Sequence, residues 1–136
     1  LKSYGLAYMA TGLVFLVIDA IWLTVAAQRF YRPLMGEMLL EGFRLIPAIL
    51  FYVIYIGGIV VFAIAPAFAT GRWSTATVYG AMLGLFAYAT YDLTNQATLR
   101  NWPVIVTIVD LSWGTFLTAL AATTGFLITR AFTSAS

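Results

Sequence analysis

The sequence predicts an all-α integral membrane protein: a four-helix bundle with a short interfacial helix between its first and second helices. Three observations predict it. The 136 residues are 62% hydrophobic and only 9% charged, against about 25% charged in an ordinary soluble domain. The few charges fall between four apolar segments, about 4–28, 45–70, 73–99 and 102–130. Each is longer than the ~20 residues a helix needs to cross the hydrocarbon core. Backbone groups in lipid must be bonded internally, which selects helices over open strands. A soluble chain of this size leaves roughly a third of its surface exposed and could not hide so much apolar area.

The first segment carries Asp19 as its only charge. It is longer than the apolar core of a leader peptide and interrupted by that acid, so it reads as a spanning helix. The connection Arg29–Arg44 mixes Arg29, Arg32, Glu37, Glu41 and Arg44 with Leu34, Met38, Leu39 and Phe43, the composition of an amphipathic helix lying in the interface. The second segment has no charge and stops at Gly71, a residue suited to a left-handed helix end. Pro47 and Pro66 read as boundary residues of that helix. The third segment carries only Asp92, and its Gly80 and Gly84 form a small-xxx-small pair that permits close helix packing. Asn101 and Pro103 mark the start of the fourth, whose one internal acid is Asp110. Short connections after the second and third segments make their neighbours antiparallel. Tyr4, Tyr8, Phe30, Tyr31, Trp73 and Trp102 lie near segment ends, as an aromatic belt does. Phe51, Tyr52, Tyr55 and Phe62 read as lipid-facing or packing groups. The whole chain, 1–136, reads as one transmembrane domain.

What is missing narrows the chemistry. With no Cys and no His, thiolate nucleophiles, Cys/His zinc sites, imidazole-ligated haem and Ser-His-Asp triads are excluded. The single lysine, Lys2, leaves no amine in the membrane interior for a Schiff base. No cofactor is expected, no metal is assigned, and a net charge of +2 gives no reason to expect nucleic acid. Lys2, Arg72 and Arg130 share one face with the termini; Arg29, Arg32, Arg44 and Arg100 share the other. The near balance leaves the orientation finely poised, with both termini expected in the cytoplasm.

Three intramembrane carboxylates carry the functional expectation. Each costs ~2.5–3.5 kcal/mol to place at a membrane helix centre. Measured from the face of Arg29 and Arg100 at ~1.5 Å per residue, Asp19 lies about 15 Å deep, and Asp92 and Asp110 each about 12 Å. Three helices therefore present a carboxylate at nearly one level. Residues three and four apart share a helix face, which places Tyr88 and Asn95 beside Asp92, Trp22 beside Asp19, and Trp113 beside Asp110. The pattern D-x-x-W-x-T occurs twice, at Asp19–Thr24 and at Asp110–Thr115. Each acid is also readable as a polar staple, accepting from a nearby donor or, for Asp92, pairing with Arg100. Such staples contribute only ~0.6 kcal/mol each.

The runs Tyr91-Asp92-Leu93-Thr94-Asn95-Gln96, Asn101-Trp102-Pro103 and Val109-Asp110-Leu111-Ser112-Trp113-Gly114-Thr115 resemble the bacterial inner-membrane family catalogued as domain of unknown function 2177. Phe15–Leu23 and Phe30-Tyr31-Arg32 match its opening helix. The resemblance implies a multi-pass, four-helix inner-membrane protein with these three acids in its signature. It carries no activity with it.

The expectation is a polar site opening toward the Arg29/Arg100 face, built from Asp19, Asp92 and Asp110. Asn95 and Tyr88 would orient it, and Trp22 and Trp113 would wall it. It would bind or move a cation, protons or a lipid-like molecule, and a transport path through four helices calls for a homo-oligomer. The competing expectation is a non-catalytic accessory subunit of a larger membrane complex. An enzyme with acids in proton transfer ranks below both.

Overall fold

A computed structural model of the chain describes residues 2–36 and 44–133. Four long helices make up the described residues: α1 (Lys2–Met35), α2 (Leu45–Thr70), α3 (Trp73–Thr98) and α4 (Val104–Thr133). The all-α membrane bundle expected from the sequence is what forms. Gly71 ends α2 in the left-handed conformation at φ 71°, and its N–H bonds Ala67 O at 2.8 Å.

α4 organises the bundle. It runs antiparallel to α3 along the length of both and also packs on α1. Its small residues allow this. Gly80 of α3 lies against Thr118 and Ala122, Gly84 against Gly114 and Thr118, and Tyr88 against Gly114. Thr77 Oγ1 meets Thr123 Oγ1 at 2.5 Å near one end, and Thr107 Oγ1 donates to Gln96 Oε1 at 2.8 Å near the other. On the other flank, Gly125 receives Thr11 of α1. The core gathers Ala7, Phe15, Tyr55, Ile59, Ile64, Leu117, Ala121 and Phe126 from three helices.

α1, α2 and α4 are long and apolar enough to cross a membrane. α3 is more polar and does not reach that measure, so three helices qualify where the sequence suggested four. Its exposed face is Val78, Met82, Leu85 and Phe86, while Gly80, Gly84 and Asp92 are buried. Its exposed threonines return their hydroxyls to the helix: Thr90 Oγ1 bonds Phe86 O at 2.6 Å and Thr98 Oγ1 bonds Thr94 O at 2.8 Å. A hydroxyl satisfied this way presents little polarity to lipid.

Two further expectations change. α1 does not end near residue 28; it continues to Met35. The leading part of the expected interfacial helix is thus the last turns of α1, and the rest falls on 37–43, outside the described residues. The continuation passes through a π-turn, Ala27–Tyr31, closed by the Arg32 N–H reaching back to Ala27 O. Pro66, expected at a boundary, lies inside α2 behind a second π-turn, Val60–Ile64, closed by the Ala65 N–H on Val60 O. Both π-turns end two residues before a proline, Pro33 or Pro66. A helical proline lacks an N–H and its ring collides with the carbonyl four residues back. Widening the preceding turn relieves that collision without ending the helix.

Candidate functional site

The antiparallel register of α3 and α4 sets Asp92 against Asp110. Asp92 falls between Tyr88, which meets Gly114, and Gln96, which meets Thr107, so its opposite number is Asp110. Asp92 is 0% exposed, and neither of its oxygens accepts a hydrogen bond. The alternative pairing with Arg100 is not formed.

Asp110 reaches α1 instead. The Tyr31 hydroxyl donates to Asp110 Oδ1 in a short bond, and Trp22 Nε1 donates to the Tyr31 oxygen at 3.4 Å. The π-turn makes this possible. At about 100° per residue, twelve regular residues would rotate Tyr31 roughly 120° away from Asp19. A turn that absorbs one extra residue brings it back to roughly 20°. Tyr31, read from sequence as part of an aromatic belt, is therefore an inward-facing hydroxyl.

Asp19 is satisfied by two donors from other helices. Tyr52 of α2 donates to its Oδ2 at 2.6 Å, and Trp113 Nε1 of α4 donates to its Oδ1 at 3.3 Å. Tyr52, read as a lipid-facing or packing group, is thus a ligand of the first acid. Phe15, one turn before Asp19, is fully buried and packs edge-on against Tyr52 and Tyr55, which steadies the Tyr52 ring.

The repeated D-x-x-W pattern gains its meaning here. Trp22 and Trp113 stack with ring centroids 4.3 Å apart and planes 13° from parallel. Each then serves the acid of the other helix: Trp113 of α4 bonds Asp19, and Trp22 of α1 supports Tyr31 on Asp110. Two antiparallel helices bearing one motif make such a reciprocal arrangement naturally. Asp19 and Asp110 thereby belong to one connected network, while Asp92 stands opposite Asp110 outside its hydrogen bonds.

The network borders a cavity of about 1170 Å³ between α1, the beginning of α2, α3 and α4. Asp19, Asp110, Tyr31, Tyr52 and Tyr88 line it, together with Trp22 and Trp113. Leu16, Ala20, Leu23 and Ala48 line it too, and Arg32 and Arg44 complete the wall. Asp92 lies behind Asp110 and does not line this space. Asn95 does not line it either; its side chain is directed to Tyr91. Trp102, another residue expected in the belt, is buried, and its Nε1 donates to Thr107 Oγ1 at 3.0 Å beside Met35 and Val106. Of the groups that sequence reasoning missed, Tyr31 and Tyr52 left no periodic signal, because each depends on how its helix is rotated. Arg32 and Arg44 read as interfacial charges in the sequence; Arg32 reaches the cavity because α1 extends past residue 28, and Arg44 because it caps the start of α2.

Residues 4–127 match a family described as predicted membrane protein, domain of unknown function 2177. The chain belongs to this family. The match spans all three acids, both stacked tryptophans and the two tyrosines that hold the acids, so the site lies wholly within the family's extent. No curated protein and no solved structure matches the chain.

Proposed function

We propose that this multi-pass protein, an inner-membrane protein by the resemblance of its motifs, binds a single amphiphilic, lipid-like molecule in the cavity beside α1 and α2. The observation that carries the reading is the lining of that cavity. Its walls bring two carboxylates, tyrosine hydroxyls and the Trp22–Trp113 stack together with aliphatic side chains. A pocket with apolar walls and a few convergent polar groups is the usual form of a small-molecule site, and about 1170 Å³ sits just above the typical ~300–1,000 Å³ range. Arg32 and Arg44 supply positive charge suited to a phosphate or carboxylate head.

A bare cation suits the geometry less well. Both oxygens of Asp19 and one of Asp110 already accept from neutral donors. Among the described residues no three acids group in a way that would hold a metal ion.

The test is lipid retention. Wild-type protein should keep one lipid through repeated detergent washing, detected by native mass spectrometry. Ala48→Trp projects an indole into the cavity and should weaken retention, with the helical fold kept as read by circular dichroism. Equal retention in this variant would defeat the proposal.

A further inference from the structure

A carboxyl with no exposure and no donor is a costly feature in a low-dielectric interior. Asp92 is such a group, and the register of α3 and α4 sets a second carboxyl, Asp110, opposite it. Two opposed negative charges there would drive α3 and α4 apart. Yet this is a closely packed seam, with Gly84 against Gly114 just one to two turns away.

We propose that Asp92 and Asp110 together bind one proton, held across the α3–α4 seam as an Asp92 O–H donating to Asp110, with Tyr31 linking that proton to the cavity. The arrangement satisfies each group. Tyr31 takes Asp110 Oδ1, which leaves Oδ2 to accept from Asp92. The pair then carries one negative charge rather than two, and that charge is stabilised by two hydrogen bonds. Among the described residues around the pair, no titratable group donates a hydrogen bond to Asp92. From α1 come Tyr31 and, beyond it, Asp19; from α3, Tyr88 and Tyr91; from α2, Tyr52, committed to Asp19, and Tyr55, paired with Thr118. The arginines Arg32 and Arg44 lie along the cavity wall, which Asp92 does not reach.

The proton site stands without any occupant in the cavity, so its test is independent of lipid binding. Infrared spectra of the full chain in lipid bilayers report the carbonyl stretch of a neutral carboxylic acid. Carboxyls in water are ionised at neutral pH, and Asp19 has two donors for its charged form. Wild-type protein should therefore show this band at neutral pH, shifted in D₂O. Asp92→Asn, which supplies an amide donor to Asp110, should lose the band entirely; Asp19→Asn should keep it. A wild-type spectrum without the band overturns the proposal, and it needs no variant to fold. A band that survives Asp92→Asn, or vanishes in Asp19→Asn, overturns it equally.

Discussion

Along the half of the bundle that carries Arg72 and Arg130, helices meet through glycine, alanine and threonine; toward Arg44 and Arg100 they part around a large cavity edged with aromatic rings. The first region shows Gly80 against Ala122, Gly125 against Thr11, and the core around Phe126 and Ile64. The second shows the Trp22–Trp113 stack and three tyrosines around open space. Each contains one proline-driven π-turn. In the packed region, Val60–Ile64 buries Val60, Ala63 and Ile64 in the core. In the open region, Ala27–Tyr31 buries none of its residues and delivers a hydroxyl to an acid. The same backbone device serves packing in one place and a polar site in the other. The difference lies in what the neighbouring helix presents. Small residues let backbones close up, whereas aromatic rings hold them apart.

The sharpest way to break this contrast is at the seam itself. A Cβ added to Gly84 would lie 2.3 Å from Gly114 O and 2.9 Å from Gly114 C. Backbone cannot rotate away as a side chain does. Gly84→Val should destabilise by at least about 3 kcal/mol, the upper end of ordinary overpacking. Reversible unfolding in mixed micelles measures it, and a loss below about 1 kcal/mol would show that the seam is looser than described.

A middle-sized effect separates the polar network from the packing around it. Tyr31→Phe removes the donor to Asp110 and the acceptor of Trp22. Hydrogen bonds between membrane helices average ~0.6 kcal/mol and reach about 1.7, so a loss of about 1 kcal/mol is expected. A double-mutant cycle with Asp110→Ala, which removes the acceptor, should show most of that loss as coupling. The control cycle pairs Asp110→Ala with Tyr55→Phe, whose hydroxyl meets Thr118 at 2.7 Å within the packed core, and should show near-zero coupling. Equal coupling in the two cycles would mean that Tyr31 has no special link to the acid.

How much of this could be read in advance follows from what a sequence encodes. Depth is readable, because charges mark the membrane face and helical rise is constant; counting residues sets Asp19, Asp92 and Asp110 at one level. The close contact at Gly80 and Gly84 is readable too, because missing side chains leave a recognisable spacing. Rotation about the helix axis is less so. α2 is apolar on all sides, so no polar stripe marks Tyr52 as facing Asp19. Tyr31 turns inward because of a π-turn whose only local sign is Pro33, two residues later. Trp102 looks like a belt residue until the continuation of α1 places Met35 over it. The acids stand out in the sequence and their tyrosine partners do not, for that reason: charge is conspicuous in lipid, and azimuth is not.

The smallest effect has the opposite sign and completes the comparison. Gly58 is a helical glycine, like Gly84, but a Cβ there would meet nothing within 4 Å. Glycine in a helix interior costs roughly 0.8–1.0 kcal/mol relative to alanine, through backbone entropy. Gly58→Ala should therefore stabilise the protein by up to about 1 kcal/mol, measured under the same unfolding conditions as Gly84→Val. Two helical glycines would then respond in opposite directions to added side chains, because one lies in a helix–helix seam and the other has no neighbour within reach of a Cβ. If Gly58→Ala destabilises instead, that face of α2 is covered in the membrane, and a second copy of the chain lying against it becomes the first explanation to test by cross-linking.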